Sequence, residues 1–76
     1  MSHLPQVSGE HVVRALKRIG FFIHHKKGSH FTLRHAVDKS KRTVVPVHKG
    51  KTLGKGLLLS IIKDAGLSVE EFKDLL

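Results

Sequence analysis

The stretch Phe21-Phe22-Ile23-His24-His25-Lys26-Lys27-Gly28-Ser29-His30-Phe31-Thr32-Leu33-Arg34-His35-Ala36 decides the fold. Its apolar residues recur with a period of two, which is a strand period, and Gly28-Ser29 interrupts them where a tight turn fits. Residues 21–27 and 30–36 therefore read as an antiparallel hairpin. Within the second strand Phe31, Leu33 and His35 share one face, while His30, Thr32 and Arg34 share the other. The apolar pair directs the first set to the core and leaves the second outward. His25 and His35 are expected inward or flanking, as packing residues with a satisfied ring nitrogen. Phe22 is the one aromatic in the outward phase, able to stack on a base, pack under a partner or fill a gap in the core.

Working outward, the residues on either side change period. Before the hairpin, Val12, Val13, Leu16 and Ile19 recur at helical spacing, with Arg14, Lys17 and Arg18 between them. Ser8 can cap this helix, expected over residues 9–19, and Gly20 can stop it in a left-handed conformation. Residues 1–7 show no periodicity and are expected to form a flexible arm. After the hairpin a polar loop leads to Thr43-Val44-Val45-Pro46-Val47, a short third strand; Pro46 cannot donate a ladder hydrogen bond, so an edge position suits it. A basic, glycine-rich loop spans residues 48–56. Leu57, Leu58, Ile61, Ile62 and Ala65 then give a second helix, ended by Gly66, and Ser68 with Glu71 fits the capping box of a short terminal helix. The order predicts an α+β domain over residues 8–76: a three-stranded antiparallel sheet, helices on one face, the other face open.

Charge limits what such a domain does. The chain has 76 residues, with fourteen Lys and Arg against six Asp and Glu, a formal net charge of +8. From Arg14 to Lys55 there are twelve Lys or Arg and one acid, Asp38, whereas four acids fall in the last thirteen residues. The sheet and its loops form the cationic side, which points to a polyanionic partner. Without Cys there is no disulfide, thiolate zinc site or cysteine nucleophile, in keeping with a reducing cytoplasm. No apolar run has the length of a membrane span, and the first residues lack the apolar core of a secretory signal. A membrane role and a helix-turn-helix DNA reader both fit poorly, the latter because three strands separate the first two helices.

Ile19-Gly20-Phe21, then Lys26-Lys27-Gly28-Ser29-His30, then Val45-Pro46-Val47-His48-Lys49, and finally Gly56 through Ala65-Gly66-Leu67 occur in an order and length that resemble the HicA (YcfA-like) toxin family of HicA–HicB toxin–antitoxin pairs. The resemblance runs from about Val12 to Leu67. It implies a fold like a double-stranded-RNA-binding domain, metal-independent mRNA endonuclease activity with no cofactor, a cytoplasmic location, and a HicB-type antitoxin that covers the active face. By this resemblance the catalytic histidine is His30. Family members often carry Thr or Ser just after the helix-start glycine, where this chain has Leu57.

The residues themselves support that chemistry. RNA brings its own nucleophile, the 2′-hydroxyl, so cleavage requires a base, an acid and charge stabilisation at the phosphate. Histidine moves protons near neutral pH. His30 stands beside the turn on the outward face, and Lys26, Lys27 and Arg34 are candidates to neutralise a phosphate. His48 is the next candidate for the acid–base pair, although it could merely hydrogen-bond its loop, and His24 follows. Ser29 and Lys49 complete the expected RNA-contacting set. The run from Lys39 to Arg42 reads first as a solvated loop, with phosphate contact as its functional use. Seven histidines raise the question of a metal site, but with no Cys and few acids near them none is expected. The alternative reading is a non-catalytic RNA- or DNA-binding module of the same fold, in which His30 only hydrogen-bonds.

Overall fold

In a computed structural model, which describes residues 3–76, helix α1 spans Gly9–Lys17. Ser8 caps it: the Ser8 hydroxyl accepts the His11 amide at 3.2 Å, satisfying a donor that the first turn leaves free. A turn through Arg18 and Ile19 ends at Gly20, whose φ of +99° is the left-handed stop anticipated from the sequence. The hairpin follows as β1 (Phe21–Lys27) and β2 (His30–His35), then β3 (Arg42–Pro46), α2 (Lys55–Asp64) and α3 (Val69–Asp74). Both strand pairs are antiparallel and the order is β1-β2-β3, so Pro46 ends an edge strand. This is the α-β-β-β-α layout of a double-stranded-RNA-binding domain with one added helix.

The core forms on the helix side of the sheet. Phe21, Leu33 and Val45, one from each strand, pack in a single buried cluster with Val12 and Leu16 of α1, Ile61 and Ile62 of α2, and Phe72 of α3. Leu33, on the central strand, has no exposed surface. Burying side chains of this size stabilises the fold by about 1.5–3 kcal/mol each before entropy is counted. Thr43, the one buried polar side chain among the described residues, donates to Asp64 Oδ2 at 3.1 Å and ties β3 to α2. The α3 capping box is present in full: the Glu71 amide donates to Ser68 Oγ, and the Ser68 amide to Glu71 Oε1.

Two features depart from the sequence reading. Residues 4–7, placed there in a flexible arm, contact the core: Val7 is buried, Leu4 packs against the cluster, and the Leu53 amide donates to the Val7 carbonyl at 2.8 Å. Gly9 lies against the end of β3, so close that an added Cβ would collide with the Pro46 carbonyl oxygen. The second departure is a β-bulge. Ile23 pairs with Leu33 but His25 pairs with Thr32, leaving His24 as an extra residue. Alternation therefore slips by one: Phe21 and Ile23 face the core, yet His25 and Lys27 face outward and Lys26 turns back to the helix side. His25, expected inward or flanking, is exposed opposite Thr32 for this reason.

Candidate RNA-cleavage site on the open sheet face

The strand register arranges the open face in rows. At the turn end, Lys27, His30 and Pro46 stand side by side on β1, β2 and β3; in the middle are His25, Thr32 and Val44; at the far end are Phe22, Arg34 and Arg42. His30 is exposed, and its ring has no hydrogen-bond partner among the described residues, so both nitrogens are available to a ligand. The reason it sits there is local. Gly28, with φ +58°, makes the tight turn, and the Val47 amide donates to the Ser29 carbonyl at 2.6 Å, extending the β2–β3 ladder one step past His30.

That extra step brings His48 to the same end. Its Nε2 lies 3.3 Å from Ser29 Oγ, a hydrogen bond joining the β1–β2 turn to the segment leaving β3. Lys49 follows, exposed, in a turn closed by the Lys51 amide donating to the His48 carbonyl at 3.0 Å. Beside His48 a cavity of about 240 Å³ reaches the start of α2 and is lined by Leu53, Gly54 and Leu57. Gly54 supplies no side-chain cap, and Leu57 is 42% exposed there, so this helix start has an apolar wall where a hydroxyl would have been a polar contact.

The remaining candidates are distributed differently from the sequence expectation. Lys27 is the cross-strand neighbour of His30. Lys26 is not on that face: its Nζ lies 4.7 Å over the Phe31 ring, on the helix side. Arg34 shares the face with His30 but stands four residues along β2, about 13 Å at a strand's rise. His24, exposed at the bulge, meets the Phe22 ring edge-on, centroids 6.2 Å apart. His35 is structural, as the sequence suggested. Its Nε2–H donates to the Ile19 carbonyl at 2.7 Å, and its Nδ1 accepts the amides of Val37 and Asp38 at 3.1 and 3.0 Å. These contacts fix one neutral tautomer and occupy both ring nitrogens. No three His, Asp or Glu side chains among the described residues come together to hold a metal ion.

Electrostatically the face is not offset by acids. Asp38, the one acid between Arg14 and Lys55, is engaged locally: Ser40 Oγ donates to its carboxylate at 2.6 Å and the Ser40 amide at 3.1 Å. The Ser40 hydroxyl, then its amide, hold the Asp38 pKa below its ordinary value. No described helix is long and apolar enough to cross a membrane. Over residues 9–67 the chain matches the family described as HicA toxin of bacterial toxin-antitoxin. The protein belongs to the HicA toxin family. The match covers α1, all three strands and α2, hence every residue of the two end rows and the His48 segment. No curated protein matches the chain at a significant level. As a HicA toxin it is one half of a toxin–antitoxin system, and its partner is an antitoxin.

Proposed function

We propose that this HicA toxin is a metal-independent endoribonuclease that cleaves mRNA by histidine acid–base catalysis and is neutralised by a HicB-type antitoxin covering the open face. The observation that carries the reading is the placement of His30. It is exposed and unpartnered, next to Lys27 and at the strand end that Ser29 and His48 share, on a face whose charge suits RNA. In the proposed reaction His30 removes the 2′-hydroxyl proton. The 2′-oxygen attacks phosphorus, the bond to the 5′-oxygen breaks, and His48 returns a proton to that leaving oxygen. The products are a 2′,3′-cyclic phosphate and a 5′-hydroxyl. Lys27 and Lys49 stabilise the charge that builds on the phosphate, and the Ser29 hydroxyl orients the His48 ring.

Cleavage of a structured mRNA in the presence of EDTA, by the parent and by His30→Ala, tests the proposal. Cleavage by the parent alone supports it. Retained RNA binding with no cleavage by either protein favours the non-catalytic module instead. End-group analysis giving 5′-phosphate and 3′-hydroxyl would reject the 2′-oxygen route.

A further inference from the structure

The far end of the open face has a composition that cleavage does not require. Of the four phenylalanines, Phe21 and Phe72 are buried and Phe31 packs against the core, while Phe22 is 43% exposed. Phe22 pairs across the sheet with Arg34, and Arg34 with Arg42, so an exposed ring stands in a row with two guanidinium-bearing residues. A cavity of about 380 Å³ opens here, walled by Phe22, His24, Arg34 and Lys39. The His35 ring also borders it, but both of its nitrogens are already engaged, so it serves as a wall. The bulge matters to this arrangement: the extra residue is His24, whose ring stands nearly perpendicular to that of Phe22, at 79°.

An exposed aromatic face flanked by Arg and Lys, in a cavity rather than on a flat surface, suits an unstacked nucleobase whose neighbouring phosphates meet the cations. We propose that Phe22 and His24 form a nucleobase subsite for single-stranded RNA, with Arg34, Arg42 and Lys39 holding the adjoining backbone. This rests on the reading of the open face as the RNA-cleaving face. Since Arg34 lies about 13 Å along β2 from His30, the base held here is separated from the scissile bond by more than one nucleotide. The subsite selects which bond reaches His30, and takes no part in breaking it.

The chain has no Trp or Tyr, so Phe22→Trp provides a single fluorophore at the subsite. The probe is a 2′-O-methyl hexanucleotide, which lacks the nucleophile and cannot be cut by 2′-oxygen attack. Titration should quench the tryptophan, and one abasic position in the probe should abolish the quenching while the others leave it. With the same probe Phe22→Ala should bind about 5- to 150-fold more weakly than the parent, the range for losing one stacked base. The abasic substitution should then cost the Ala variant almost nothing further. Equal affinity of parent and Phe22→Ala would overturn the subsite, as would an abasic effect of the same size in both. Weakened antitoxin binding by Phe22→Ala with unchanged RNA affinity would overturn it in favour of a protein-docking patch. If the parent cleaves and binds RNA while these arms fail, the subsite alone is lost. If the parent neither binds nor cleaves, the proposed function is lost with it.

Discussion

At one end of the open sheet face, Lys27, His30 and Pro46 form a row beside the Gly28–Ser29 turn; at the other, the row is Phe22, Arg34 and Arg42. Both rows span the same three strands and both are cationic. The first offers an unpartnered imidazole with a second histidine hydrogen-bonded close by, groups suited to moving protons. The second offers an aromatic surface beside two arginines, which suits holding a base and its phosphates. Between them lies the bulge at His24, which lets both ends of β1 present outward residues of different parity in the sequence: 22 before it, 25 and 27 after it. One inserted residue thus lies between the end proposed for chemistry and the end proposed to grip RNA, on a sheet of three short strands.

The largest expected effect tests the chemical end. His30→Ala should lower the cleavage rate about 100- to 10,000-fold, the usual contribution of a general acid or base, while RNA affinity changes little; single-turnover rates beside equilibrium binding separate the two. Deleting His24 addresses the other end. Ile23 and His25 already flank it in register with Leu33 and Thr32, so the sheet should close without the bulge and the turn end should keep its geometry. Losing the ring contact to Phe22 is expected to raise KM about 2- to 10-fold. The rate at saturating RNA should stay within about threefold, because the two ends are far apart. A lost rate with unchanged KM would contradict the division of labour.

A smaller contrast uses adjacent lysines on opposite faces of β1, of which the bulge puts Lys27 on the open one. Lys27→Ala should flatten the dependence of log affinity on log salt by about 0.7, one phosphate contact on a single strand. Lys26→Ala should leave that slope alone and lose about 0.5–1 kcal/mol of stability from its contact with Phe31, readable by denaturant titration. The smallest effect concerns pH. The Asp38 carboxylate, whose pKa is lowered by Ser40, holds the loop beside the Phe22 end. A lowered folded value means its contribution is complete above about pH 4, the ordinary carboxylate value. The contribution disappears as pH falls through the folded value. The Ser40 amide should therefore lose hydrogen-exchange protection under acid, and Asp38→Asn should show that loss already at neutral pH, with the Val47 amide at the turn end unaffected.

The sequence made the element order readable because each transition carries its own signal: helical spacing up to Ile19, a glycine stop, alternation from Phe21, a Gly-Ser turn, then helical spacing again. His30 reads as outward because Phe31 and Leu33, both after it on β2, fix the phase of the strand. The face of β1 was legible only as far as Ile23. His24-His25-Lys26-Lys27 has no apolar residue to reveal that alternation slips. The sequence therefore points His25 inward or to the flank, where the structure has it outward opposite Thr32. It also leaves Lys26 a phosphate candidate, where the structure turns it to Phe31. The only hint of the slip is the absence of an apolar residue at position 25. The pairing of Ser29 with His48 depends on the β2–β3 register, which Pro46 and Val47 do not announce. Leu4 and Val7, three apart, were the signal that the first residues touch the core, but two residues are too few to establish a period.

The close approach of Gly9 to the Pro46 carbonyl, together with the Leu53 amide bonded to Val7, bears on how the protein is made. All of the side chains proposed for cleavage have been synthesised once the ribosome has passed Lys49. The hydrogen bond from Leu53 and the α2 residues that bury the sheet emerge only later. Because the first helix is docked onto the end of the third strand, closing a loop of about 40 residues must precede a fixed His48 segment. A chain interrupted midway carries every side chain proposed for cleavage without the helix that buries the sheet, so truncated products of this toxin gene should be harmless to the cell that makes them.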